Sequence, residues 1–86
     1  MPKTKTIFDK RYDRFIADLV DIRHDKGMSQ RDLVAKSGYS TCFVGRTETR
    51  DRRLDFIEVL DYMRFLGLTK KEIKIKLSEW ADLFVE

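Results

Sequence analysis

Proline occurs in this chain only at position 2, and three of its four glycines, Gly27, Gly38 and Gly67, stand where apolar patterns stop. A chain without internal proline can run helix after helix, and glycine supplies the left-handed turn that closes each one. Between the glycines the apolar residues recur at steps of three and four, the spacing of one helix face. The β-branched residues never alternate with polar ones over a useful length, so strands are not expected. The pattern predicts an all-α domain.

The first predicted helix covers about residues 9–26, with a stripe of Phe8, Tyr12, Phe15, Ile16, Leu19 and Ile22. Gly27 closes it. Ser29 then caps a second helix, with Asp32 three residues on as the acidic half of a capping box. Leu33 and Val34 give that helix its inner side, and Gly38 makes the turn after Ser37. A third helix of about seven residues begins near Ser40 or Thr41, turning Phe43, Val44 and Thr47 inward and Thr41, Cys42, Gly45 and Arg46 outward. Residues 49–53 form a loop carrying Arg50, Arg52 and Arg53. The fourth helix, over about residues 55–66, holds Phe56, Ile57, Val59, Leu60, Tyr62, Met63, Phe65 and Leu66. These surround most of its circumference and predict burial on more than one side. After Gly67, Thr69 caps a fifth helix to about residue 84, with a stripe of Ile73, Leu77, Trp80, Ala81 and Phe84.

Eighty-six residues suit a single domain with a single core. The one cysteine, Cys42, excludes an internal disulfide framework. No apolar run approaches the roughly 18–20 residues that cross a bilayer, and the start, MPKTKTIFDK, lacks a signal-peptide segment; these features favour the cytosol. An enzyme is not expected. There is one histidine, His24, without metal-spaced partners, and no CxxC, no Ser/His/Asp set and no glycine-rich phosphate loop. No cofactor or metal is implied. Residues 1–54 carry 13 Lys/Arg against 8 Asp/Glu, whereas residues 55–86 carry 5 against 7. A basic front suits a polyanionic partner, and it equally suits a solvated surface.

A seven-residue helix is marginal by itself, and this one is half polar. A fold keeps such a helix when a rigid base presents its outer side chains. The major groove of B-form DNA is about 12 Å wide and admits one helix. Thr41, Cys42 and Arg46 form an outer surface of short polar groups and one long cation. The free amides that begin the second helix, near Ser29 and Gln30, suit phosphate oxygens.

The run GMSQRDLVAKSGYSTCFVGRTE resembles the phage-repressor type of helix-turn-helix, the Cro/cI or XRE family. Gly27, Ser29, Gln30, Leu33, Gly38, Ser40, Val44 and Glu48 fall on that family's marked positions, and RRLDFIEVLDYMRFLGL resembles the start of its fourth helix. The resemblance covers residues 12–68. It implies a compact five-helix, lambda-repressor-like fold, divided into an arm at 1–8, a helix-turn-helix DNA-binding domain at 9–68 and a C-terminal helix at 69–86 that covers the core or makes a dimer. It implies that Thr41, Cys42 and Arg46 read base edges, Arg46 forking onto a guanine. Ser29 and Gln30, with Arg50, Arg52 and Arg53 after the recognition helix, would hold backbone phosphates, and Gln30 would brace the third helix. Glu48 takes a structural role, pairing with Arg53 or capping nearby amides. The implied function is a sequence-specific transcriptional regulator, a repressor binding a palindromic operator on double-stranded DNA as a homodimer. The second reading is a protein-interaction module on the same fold, such as an antitoxin. Four residues depart from the family pattern. Val34 replaces alanine, Gly45 replaces serine and Thr47 is less apolar than usual. Arg50 stands where glycine commonly takes a left-handed conformation, at about 1–2 kcal/mol for a residue with a side chain.

Other residues carry competing readings. For Arg46 and the 50–53 arginines the competing reading is a solvated surface. Cys42 near a helix start is either an inert thiol or a redox-sensitive one. Lys3 and Lys5 are either an arm along the DNA backbone or a frayed terminus, and Lys10, Arg11 and Arg14 decorate a helix face. Trp80, Leu83, Phe84 and Val85 either cover the fourth helix or form a two-fold dimer seam, joined there by Phe56, Val59 and Phe65.

Overall fold

The computed structural model describes residues 9–86; the proposed arm at 1–8, with Lys3, Lys5 and Phe8, lies outside the described residues. Five helices follow in order: α1 (Lys10–Asp25), α2 (Gln30–Ser37), α3 (Thr41–Glu48), α4 (Phe56–Phe65) and α5 (Lys70–Phe84). No strand occurs among the described residues.

Each helix begins on a side-chain cap. Asp9 opens α1, Ser29 opens α2 and Ser40 opens α3, each accepting a first-turn amide. Asp55 opens α4 and Thr69 opens α5 in the same way. Ser29 and Asp32 complete the predicted capping box, and Asp55 with Glu58 and Thr69 with Glu72 form two more. In each box two of the amides orphaned at a helix start gain partners. Gly27, Gly38 and Gly67 all take positive φ, at 66°, 80° and 94°, so a left-handed residue follows α1, α2 and α4 as the glycine spacing predicts.

The core gathers Tyr12, Ile16 and Leu19 of α1, Leu33 of α2, Val44 of α3, Val59, Tyr62 and Met63 of α4, then Leu66 and Trp80. α2 packs on α3 and α4, α1 on α3, and α4 on α5. Val44 and Thr47, the inner side of α3, are almost wholly covered, so the short helix is fixed by packing rather than by its own propensity.

Two expectations about burial change. The first turn of α4 is not covered: Phe56 and Ile57 remain 64% and 63% exposed, while Val59, Tyr62 and Met63 carry the burial. Leu60 and Phe65 are half-buried against the core beside them, so the wide burial expected of this helix holds beyond its first turn. Ala81 is exposed rather than part of the inner stripe of α5. Trp80 is buried against α1: its ring meets Phe15 edge-on at 4.8 Å, and its indole N–H donates to Asp18 Oδ2 at 2.8 Å.

Candidate nucleic-acid interface

Three outward residues of α3 fall on one stripe. Thr41, Cys42 and Arg46 are exposed, Gly45 is partly so, and Val44 and Thr47 lie underneath. The spacing i, i+1, i+4, i+5 puts all four on a single helix face. Gly45 leaves that face open, with nothing within 4 Å of where a Cβ would stand. The Arg46 guanidinium has no ion-pair partner among the described residues, and Cys42 is a free, exposed thiol.

A buried ion pair supports this helix from behind. Arg23 lies on the inner stripe of α1, following Ile16 and Leu19, and is only 7% exposed. Its Nε donates to Glu48 Oε2 at 2.7 Å and one terminal nitrogen donates to Glu48 Oε1 at 3.0 Å, a two-pronged contact. The other terminal nitrogen donates to the Met28 carbonyl at 2.7 Å, holding the α1–α2 turn. Gln30 completes the network by donating from Nε2 to Glu48 Oε1 at 2.7 Å. One carboxylate at the end of α3 is therefore tied to α1 and to the start of α2. Glu48 does not pair with Arg53, as the sequence suggested; it reaches Arg23, which lies 25 residues earlier. Gln30 does brace α3, with its amide nitrogen committed inside the fold. The sequence signal for this pair is Arg23 itself, a cation at inner-stripe spacing that demands a partner once buried.

The loop arginines are less free than their sequence implies. Arg50 holds φ 68°, the left-handed conformation where the family commonly has glycine. Its Nε meets Asp13 Oδ1 at 2.9 Å, about half exposed on both sides. Arg52 lies 4.6 Å above the Phe43 ring and clasps both oxygens of Glu58, at 3.1 and 2.9 Å. That clasp holds the Glu58 carboxyl below the usual range, helped by the Asp55 amide. Arg53 stacks on Tyr12 at 3.9 Å, and the Tyr12 hydroxyl accepts from the Leu54 amide at 3.2 Å. These contacts pin the loop to α1, α3 and α4. Ser29 spends its hydroxyl on the Asp32 amide, and the returning Ser29 amide holds the Asp32 carboxyl below its ordinary value.

The C-terminal residues divide. Trp80 is buried within the chain and Phe84 is half-buried, while Leu83 and Val85 are 54% and 71% exposed. Phe84 and Val85 line a shallow apolar cavity of about 330 Å³ with Tyr12, Phe15, Trp80 and Arg53. Val59, another seam candidate, belongs to the core. Among the described residues no group of histidine, cysteine and carboxylate side chains has the arrangement of a metal site, and no helix is long and apolar enough to cross a membrane.

No protein-family model matches the chain, and no curated protein matches it. Among solved structures, it is similar to an XRE-family like protein from Pseudomonas syringae pv. tomato str. DC3000. The two are 33% identical, the match covers 98% of this chain and 99% of that one, and the TM-score is 0.81.

Proposed function

The chain belongs to the XRE-type helix-turn-helix family, and from that premise we propose that it is a sequence-specific DNA-binding transcriptional regulator. The observation that carries the reading is the outer face of α3, where Thr41, Cys42 and the unpaired Arg46 project from a helix whose inner face is fully anchored. In this reading α3 enters the major groove. Arg46 is long enough, and free enough, to fork onto guanine O6 and N7, and Thr41 and Cys42 meet neighbouring base edges. Ser29 and Gln30 sit at the amide-rich start of α2, and Arg50, Arg52 and Arg53 at the exit of α3. These five set register on the phosphates. Arg52 has both terminal nitrogens engaged with Glu58 and the Arg53 carbonyl, so it offers a phosphate mainly its charge. Binding as a homodimer to a palindromic operator would double the contacts, and occupation of an operator is the simplest way for such a small domain to repress.

The exposed Leu83 and Val85 favour one second reading, a module that grips a partner protein through its C-terminal helix. Selection from a random pool of duplexes separates the two. The regulator reading expects an enriched inverted repeat whose binding weakens steeply with salt. A chain that enriches no sequence and binds no duplex is not a DNA-reading regulator.

A further inference from the structure

The hollow between the start of α1 and the end of α5 has an aromatic floor and an open rim. Tyr12, Phe15, Trp80 and Phe84 line its floor, Val85 stands at the rim, and its volume is about 330 Å³. Tyr12 and Trp80 are buried beneath it, whereas Val85 is exposed. Asp9 lines the same hollow, so the chain enters the described fold at its edge. Trp80 is the buried residue of α5, and the carboxyl end of that helix is held by little else. We infer that the segment before Asp9 closes this hollow, with Ile7 and Phe8 seated on the aromatic floor as a strap from α1 to α5. The inference does not depend on the DNA-binding reading above.

Reach, pattern and charge name this segment as the occupant. One trans peptide step moves the chain about 3.8 Å, so the Phe8 and Ile7 Cα atoms stand within about 4 and 8 Å of the Asp9 Cα. Both residues stay at the edge of the hollow, at no cost in loop closure. They are adjacent large apolar side chains after the polar run KTKT, and covering them removes apolar surface from water. Phe8 also heads the apolar stripe of α1, four residues before Tyr12. Asp9 caps that helix with an extended backbone, at φ −66° and ψ 121°, so the first member of the stripe is presented by the incoming chain rather than by the helix. Arg11 joins the two walls, its Nη1 donating to the Phe84 carbonyl at 3.3 Å. Beyond it a second hollow is lined by Arg11, Leu83, Phe84, Val85 and Glu86. This is the carboxyl end of α5, whose last turn holds Asp82 and no basic residue. The negative end of a helix favours nearby cations, and Lys5 and Lys3 lie two and four residues before Ile7.

The test uses the full chain. In nuclear Overhauser spectra of the wild type, the Phe8 ring protons are expected to give cross-peaks to the Val85 methyls and the Trp80 indole. Mixing labelled with unlabelled chains separates a strap within one chain from a segment donated by a second copy, and the cross-peaks are expected within one chain. Ile7→Ser with Phe8→Ser is expected to lower the thermal midpoint by roughly 5–10 °C. The same variant should raise acrylamide quenching of Trp80, the single tryptophan of the chain. Phe8→Leu should keep most of the midpoint, because it refills the hollow with an apolar side chain. If the double variant does not fold, Phe8→Ala alone is read in the same way, and the wild-type spectra need no variant. The inference is overturned if Phe8 gives no cross-peak to the lining residues, if the cross-peaks run only between chains, or if the double variant melts within about 1 °C of wild type with Trp80 quenching unchanged.

Discussion

Replacing Glu48 by alanine removes one carboxylate that accepts three hydrogen bonds: two from Arg23, at 2.7 and 3.0 Å, and one from Gln30, at 2.7 Å. Arg23 keeps its bond to the Met28 carbonyl and a long contact, at 3.4 Å, to the His24 ring Nε2. The side chains of Arg23 and Glu48 are 9% and 11% exposed, so water replaces little of what is lost. Breaking a buried pair by removing one partner costs about 3–5 kcal/mol, because the remaining charge stays buried and uncompensated. A domain of this size has about 5–15 kcal/mol of stability in all. Urea unfolding followed by circular dichroism should therefore show a large fall in midpoint, and heating a drop of roughly 12 °C or more. The pair itself need not be strongly stabilising relative to apolar packing. Arg23→Met combined with Glu48→Leu should recover most of the loss, since no orphaned charge remains. A Glu48→Ala variant within about 1 kcal/mol of wild type, or a double variant no better than the single, would refute the network as the tie between α1, α2 and α3.

Other variants test separate parts of the account. Tyr62 is fully buried, burial pushes its phenol well up, and its hydroxyl has no hydrogen-bond partner among the described residues. Tyr62→Phe should be neutral or stabilising by about 1 kcal/mol, and a clear loss in thermal unfolding would mean the hydroxyl is satisfied. Arg50→Gly relieves a left-handed residue and removes a half-exposed ion pair. Stability should stay within about 1 kcal/mol while affinity for every duplex falls, and a drop of several kcal/mol would show that the Asp13 contact is structural. Asp9 is lowered from 3.8 to about 2 by its bonds to Arg11, and Asp32, Glu58 and Glu72 are also held down. Depressed folded-state values mean this stability is complete above the unfolded values and is lost as pH falls through the folded ones. Melting temperature should therefore decline from about pH 4.5 toward pH 2. A rise over that range would contradict the four contacts.

The sequence made the helices legible because their punctuation is local. A glycine with positive φ, or a capping hydroxyl three residues ahead of the amide that donates to it, needs only its neighbours, and Gly27, Ser29, Gly38, Ser40, Gly67 and Thr69 stand where the pattern puts them. The inner and outer faces of α3 were legible for the same reason, since helical spacing alone assigns Val44 and Arg46 to opposite sides. Long-range pairing was not. Glu48 meets Arg23 and Trp80 meets Asp18 across separate helices, and periodicity names the face of a residue but not the element that covers it. Apolar content misled at α4 for a related reason. Phe56 and Ile57 look like core by composition, yet the turn that carries them is left open to solvent. Arg50 was legible through the family pattern, which marks its position as a place for glycine.

In the proposed complex α3 lays its outer face against base edges. Fluorescence anisotropy of wild type and Arg46→Ala on the selected duplex and its single-base-pair variants tests it most directly. Arg46→Ala should lose roughly 1–3 kcal/mol of discrimination at one or two base pairs and keep its preference elsewhere. Unchanged discrimination at every position would contradict it.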